Sequence, residues 1–152
     1  MLELKQLSIC NYTSAVELYR KMIEENRVFD ERLRNLDTDD KSIRKLLQYS
    51  YDTENNLFFL AYQRNSAVGF IDSTRVTKDN GPDEWYIKAV YLAPEYRSSK
   101  NFEFMVYKTE KLVRQKGVKN IFSNALMENN EANTLWENLG YTIESDKRTK
   151  GL

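Results

Sequence analysis

The chain contains no histidine, which removes Ser-His-Asp triads, His-containing zinc sites and the imidazole general base, and leaves carboxylates, tyrosines or water to move protons. Two carboxylates stand out. Glu84 opens a strand-like run, Glu84 to Leu92, in which Trp85, Tyr86 and Tyr91 supply the apolar surroundings that raise a carboxylate pKa and suit it to accept a proton. Asp72, on the neighbouring strand-like run, is the second candidate. A solvated glutamate at a strand end explains Glu84 equally well. Farther along, Arg97, Ser98, Ser99, Lys100 and Asn101 gather polar and cationic side chains at the start of a predicted helix, followed by Phe102. A polar loop capping that helix, with Phe102 in the core, is the plainer reading of those residues. Asp30 and Glu31 could attract a cation, but Arg32 and Arg34 offset them and favour a solvated charged loop. Cys10, the only cysteine, has no internal disulfide partner and reads as a small core residue.

The elements that must position these residues follow from periodicity. Leu2, Leu4, Leu7 and Ile9 suggest a first strand, and Ser14 with Glu17 forms a capping-box signature for a helix whose buried face carries Ala15, Leu18, Tyr19, Met22 and Ile23. The polar connection Phe29 to Thr38 leads to a second helix with Ile43, Leu46 and Leu47 as its apolar stripe. Leu57 to Tyr62 is a continuous apolar run, the signature of a central strand buried on both faces. A short link, Arg64-Asn65-Ser66, predicts a hairpin into Ala67 to Val76, and Asn80-Gly81-Pro82 turns the chain into Glu84 to Leu92. A helix over about Asn101 to Lys116, capped by Gly117, precedes a strand at Ile121 to Leu126. In the next helix, from Asn129 to Leu139, Ala132, Leu135, Trp136 and Leu139 recur at i, i+3, i+4 and i+7, and Gly140 stops it. Tyr141 to Ser145 is the last clear strand, leaving only Asp146 to Leu152 for a seventh.

Composition sets the outer bounds. At 152 residues the chain has the size of one domain, 1–152, with no repeat or linker to divide it. Hydrophobic residues at 41% and aromatic ones at 12% provide enough packing material to exclude disorder. Lys plus Arg equals Asp plus Glu at 23 each, so no global field steers the protein toward nucleic acid or an anionic membrane, and any anion site must be local. With no signal-peptide pattern and no disulfide pair, the cytoplasm is the default address.

Two segments then carry a family resemblance. Tyr91 to Phe104, YLAPEYRSSKNFEF, and Asn129 to Tyr141, NNEANTLWENLGY, stand at the distance of one βαβα unit. Their layout resembles the coenzyme-binding half of the GNAT superfamily of N-acetyltransferases, and the element order extends the resemblance over nearly the whole chain. It implies an α/β (α+β) fold, a mixed central sheet of six or seven strands flanked by about four helices. It also implies acetyl-CoA as co-substrate, no metal, and a primary amine of a small molecule or protein as acceptor.

In the family, an Arg or Gln and two small residues shape the turn that binds the coenzyme pyrophosphate on backbone N–H groups at a helix N-terminus. Here Arg97 is retained, while Lys100 and Phe102 stand at the two small positions. Lys100 could meet the pyrophosphate as a point charge, with the Ser98 and Ser99 hydroxyls and the helix start at Asn101 adding donors. Phe102 puts bulk where the coenzyme approaches. The resemblance further implies that backbone near Tyr91 and Leu92 orients the pantetheine arm, that Asn129 and Ala132 belong to the coenzyme motif, and that Glu84 occupies the place of the base. Trp136 stands where many members have a tyrosine that protonates the departing thiolate, and an indole N–H is too weak an acid for that. Two readings follow: an acetyl transferase, or a non-catalytic domain of the same fold that binds a partner or acyl-CoA without turnover. The short tail suggests an incomplete acceptor wall, or one completed by a second subunit in a homodimer.

Overall fold

The computed structural model describes residues 1–124, 130–144 and 147–152. A seven-stranded sheet forms the middle layer, in the order β1-β2-β3-β4-β5-β7-β6. The strands are β1 (Glu3–Gln6), β2 (Asn56–Gln63), β3 (Ser66–Val76), β4 (Glu84–Leu92), β5 (Asn120–Asn124), β6 (Thr142–Glu144) and β7 (Lys147–Gly151). The helices are α1 (Tyr12–Asn26), α2 (Glu31–Arg34), α3 (Asp40–Leu47), α4 (Ser99–Gln115) and α5 (Asn130–Asn138). All neighbouring strands run antiparallel except β4 and β5, which are parallel.

Both faces of the sheet are covered, which is why β2 reads as an unbroken apolar run. Phe58 and Leu60 point to α1 and α3, packing with Ala15, Leu18, Ile23, Ile43 and Leu47. Leu57 and Ala61 point the other way, toward Met105, Val106, Val113, Trp136 and Leu139 of α4 and α5. Tyr19, Phe70, Phe58 and Tyr91 stack in series on the α1 side, the tightest pair 5.0 Å between centroids.

Two irregularities interrupt the ladders. Between Ala61 and Tyr62 the register of β3 jumps from Gly69 to Ala67, so Val68 is an extra residue. Between Asp72 and Ser73 the register of β4 jumps from Ala89 to Ile87, making Lys88 a second bulge. A bulge exchanges the faces of the residues beyond it. Trp85 and Ile87 accordingly face α4 and α5, whereas Ala89 and Tyr91 face α1.

Several sequence expectations change. The seventh strand forms within this chain, from Lys147 to Gly151, and inserts between β5 and β6, where it can pair on both sides. That removes the reason to invoke a second subunit for the missing wall. The first strand ends at Gln6, and Ile9 is 88% exposed, because the chain turns at Ser8 to enter α1. Cys10 lies in that turn and is exposed rather than buried. Ser14 is inside α1 instead of capping it; Asn11 stands at the cap and turns its side chain back, accepting from Ser8 N–H at 2.8 Å and donating to Gln6 O at 3.0 Å. The link from Phe29 to Thr38 contains the short α2, capped by Asp30. Gly117 and Gly140 end α4 and α5 with φ of 81° and 90°, as their positions predict.

Gly69 lies tight against the backbone of β4. A Cβ built there would lie 2.3 Å from the Tyr91 carbonyl oxygen, so the backbone itself would have to move. Gly69→Ala is expected to destabilise the fold by roughly 2 kcal/mol or more. Denaturant unfolding measures it, and an unchanged midpoint would contradict the close approach.

Candidate active site

The parallel pairing of β4 and β5 covers only Trp85↔Ile121, Tyr86↔Phe122 and Ile87↔Ser123. Immediately beyond, at the Lys88 bulge, the pairing ends, and Lys88 to Leu92 has no strand neighbour on its β5 side among the described residues. Two adjoining clefts occupy the opening. One, of about 370 Å³, is lined by Tyr19, Asp30 and Arg32 on the α1–α2 side, by β4 from Tyr86 to Val90, and by Ser123, Asn124, Trp136 and Arg148. The other, of about 330 Å³, is lined by Glu25, Val90, Tyr91, Leu92, Arg97, Ser98, Ser99 and Leu135. Val90, Phe102, Asn26 and Ala132 line both, so a molecule in each cleft would meet at that junction.

The second cleft ends at the first turn of α4. Ser98 caps this helix, its Oγ accepting from Asn101 N–H at 3.1 Å, and the Asn101 side chain donates to Tyr96 O at 2.8 Å. A helix start leaves N–H groups without carbonyl partners in the preceding turn, a setting that suits a phosphate. Lys100 is exposed in this turn and is not part of the cleft lining, whereas Ser98 and Ser99 are.

Arg97 is already engaged. Its Nη1 pairs with Glu25 at 2.5 Å, its Nε donates to Leu92 O at 2.7 Å, and its guanidinium lies 5.4 Å from the Tyr91 ring centre. That clamp ties α1 to the end of β4 and holds the Glu25 carboxyl below its ordinary value. Phe102 stands edge-on to Trp136 with centroids 5.0 Å apart, so the bulk expected to obstruct the coenzyme sits at the junction of the clefts. Trp136 is 5% exposed and packs in the core, yet reaches the first cleft. Asn129, expected in the coenzyme motif, lies outside the described residues.

The two candidate carboxylates are placed very differently. Glu84 sits at the closed end of the β4–β5 pair and lines neither cleft. It pairs with Lys78 and accepts from Asn120 Nδ2. Burial acts to raise its pKa, but Lys78, Asn120 and Lys147 outweigh it and hold the carboxyl below its ordinary value. Asp72 is fully buried beneath the first cleft. Its Oδ2 accepts from Tyr19 Oη at 3.2 Å and pairs with Lys88 Nζ at 3.3 Å, while Oδ1 is buried with no partner. Burial raises its pKa, with Lys88 and Tyr19 opposing.

Side chains that periodicity did not single out complete the first cleft. Tyr86 Oη accepts from Asn124 Nδ2 at 2.6 Å, and Arg32 binds Asp30 through Nη2 at 2.6 Å and Nε at 2.9 Å. The offsetting charges expected in the Phe29 to Arg34 link are therefore a real pair, but they line a cleft instead of a solvated loop. Lys88 and Arg148 carried no local signal. One enters through a bulge, and the other through a strand whose burial depends on its two neighbours.

The sequence model described as the acetyltransferase (GNAT) family matches residues 13–141, and the chain belongs to that family. No curated protein matches by sequence. Among solved structures, the chain is similar to a PaiA N-acetyltransferase from Thermoplasma acidophilum in complex with coenzyme A, with TM-score 0.80, 18% identity, and coverage of 100% of this chain and 99% of that one. It is also similar to the NatC complex bound to Gag peptide and CoA, with TM-score 0.75, 16% identity, and coverage of 99% and 98%. A third is an aminoglycoside acetyltransferase from an uncultured soil sample in complex with sisomicin, with TM-score 0.72, 18% identity, and coverage of 95% and 91%. Among the described residues, no helix is long and apolar enough to cross a membrane.

The ionic surroundings of Glu84 make a stability prediction. Because its folded pKa is depressed, its contribution is present above the unfolded glutamate value, about 4.3, and is lost as pH falls through the lower folded value. Glu84→Gln should therefore be less stable than wild type at neutral pH, with the difference shrinking on acidification. Thermal melts across that range test this, and a gap that widens toward acid would refute the pairing.

Proposed function

We propose that the chain transfers the acetyl group of acetyl-CoA to a primary amine of a small molecule or protein by direct attack. The observation that carries this reading is the parting of β4 and β5 at Lys88, which joins two clefts at Val90 and Phe102. The cleft ending at the α4 N-terminus suits the coenzyme: Ser98, Ser99 and the first-turn amides toward the phosphates, Tyr91 and Leu92 along the arm. Lys100 sits near enough in sequence to add a salt-sensitive charge from outside the lining. The other cleft takes the amine. A primary amine, once deprotonated, attacks the thioester carbonyl carbon; the tetrahedral adduct then collapses, forming the amide and releasing the coenzyme as thiolate. No residue becomes acylated. We place the reaction in the cytoplasm on the free, exposed Cys10, a thiol that suits a reducing compartment.

The incoming ammonium proton needs a sink. Asp72 suits that role better than Glu84, since its raised pKa favours proton uptake and Tyr19, which lines the amine cleft, already donates to it. Tyr19 would accept the amine proton as it passes its own to Asp72, a relay that leaves the phenol unchanged. Asp72→Asn should lower kcat by about 10²-fold and remove the rise in rate with pH that follows ionisation of the raised Asp72 carboxyl, with acetyl-CoA affinity nearly unchanged. Glu84→Gln serves as the comparison. The opposite ranking of the two variants would return the base to Glu84.

A non-catalytic acyl-CoA or partner-binding domain is the second reading, favoured by the engagement of Arg97 with Glu25 and by Phe102 at the junction. Calorimetric titration with acetyl-CoA and desulfo-CoA separates the two. Under the transfer reading wild type binds, binding weakens with salt, and Lys100→Ala weakens it about tenfold, the value of one charge-assisted contact. Under the other, wild type either fails to bind acetyl-CoA or binds it without releasing thiol to any amine. A cleft blocked by side-chain bulk would open on joint Lys100→Gly and Phe102→Gly substitution, with Phe102, the one of the two that lines it, carrying the effect.

A further inference from the structure

The charges around the amine cleft do not balance. Asp30 answers Arg32, and Asp72, beneath the cleft, answers Lys88. Arg148 has no such partner. It projects from β7 and is 3% exposed, yet no carboxylate among the described residues pairs with it. Its Nη1 donates to the Asn124 carbonyl at 2.8 Å, its Nη2 donates to Asn133 Oδ1, and its Nε is buried with no partner. Both acceptors are neutral. Of five guanidinium N–H groups, three are left without a partner among the described residues.

A buried cation without a counter-charge is costly, because it has given up its hydration and gained no opposite charge in exchange. Desolvation alone pushes the Arg148 pKa down, the expected mark of a cation held without an anion. The guanidinium lies 5.7 Å from the Trp136 ring centre, a contact that offsets only part of the cost. Arg148 lines the amine cleft, abreast of Ser123 on β5 and Ile87 on β4 in one row across the sheet.

We propose that Arg148 is an anion subsite of the acceptor cleft, and that the acceptor is a small amine carrying a carboxylate, an amino acid instead of a polyamine or an aminoglycoside. This rests on the acetyl-transfer reading above. A carboxylate would supply the missing counter-charge through charge-assisted hydrogen bonds to a planar donor, while the amino group of the same molecule faces the thioester. A polycation meets the opposite situation: among the described residues, three cationic side chains against two carboxylates leave an excess positive charge around the cleft. The volume of about 370 Å³ suits a molecule of amino-acid size.

The test uses wild-type protein with acetyl-CoA, following thiol release and product mass for free amino acids, their methyl esters, spermidine and an aminoglycoside. Free amino acids should be acetylated, and esterification should raise KM about tenfold or more, as expected for loss of a charge-assisted contact, with kcat little changed. Arg148→Gln should erase the difference between acid and ester by weakening the acid alone. The comparison of acid with ester in wild type needs no variant, so it stands even if Arg148→Gln fails to fold. Equal or better turnover of esters, acetylation confined to spermidine or the aminoglycoside, or a uniform fall in kcat for every acceptor in Arg148→Gln would overturn the subsite while leaving acetyl transfer intact. A wild type that binds no acetyl-CoA and releases no thiol with any amine would instead overturn the transfer reading, and the subsite with it.

Discussion

The bulge at Lys88 is the constraint on which the rest of the molecule depends. One extra residue in β4 ends its alliance with β5 after Ile87 and Ser123 and exchanges the faces of the residues that follow. Without it, Tyr91 would turn toward α4 and the aromatic stack of Tyr19, Phe58 and Phe70 would lose its fourth ring. The same event leaves the outer half of β4 without a β5 neighbour among the described residues, on backbone that a sheet interior would otherwise consume. The clefts are thus the direct product of a local fault in a ladder that is otherwise continuous.

Maintaining such an opening requires reinforcement around its rim. Arg97 supplies it at one end by gripping Glu25 of α1 and the Leu92 carbonyl together. At the closed end Glu84, Lys78 and Asn120 knit β4 to the base of β5. Behind α4 the fully buried Glu110 accepts from Tyr141 Oη at 2.8 Å and pairs with Lys150, pinning β7 to the helical layer. These polar contacts are all answered, and a satisfied buried polar group specifies geometry where apolar packing alone would tolerate slippage. Against that background Arg148 Nε and Asp72 Oδ1 are, with Gln6 Nε2, Arg27 Nε and Trp85 Nε1, the buried polar side-chain atoms without a partner among the described residues, and those two belong to the cleft region.

Much of this architecture was legible from local patterns. The β4 limits, the hairpin at Arg64-Asn65, the positive-φ glycines that end α4 and α5 and the α1 stripe all follow from alternation, helical periodicity and turn chemistry, whereas in α3 Ile43 and Leu47 are buried and Leu46 is exposed. Glu84 was visible as a candidate from the aromatic residues beside it and from the family's place for the base, and Asp72 only as the acid on the neighbouring strand. Their ranking was not, since one sits under the open end of the fork and the other at its closed end. Seven residues at the C-terminus looked too few for a strand and proved sufficient, because β7 draws hydrogen bonds from β5 and β6 at once.

Sequence alone therefore determined the elements other than α2 and β7, their order and the family to which that order points, because each rests on interactions between residues near one another in the chain. It also established that no imidazole takes part. Tertiary structure decided which side chains share a cavity. Lys88 joins Asp72 across a ladder, Arg97 joins Glu25 across a layer, and Arg148 reaches the cleft from the last strand. Their meeting is set by strand register and by a single inserted residue, quantities that arise from pairing distant segments and leave no periodic trace in either segment alone.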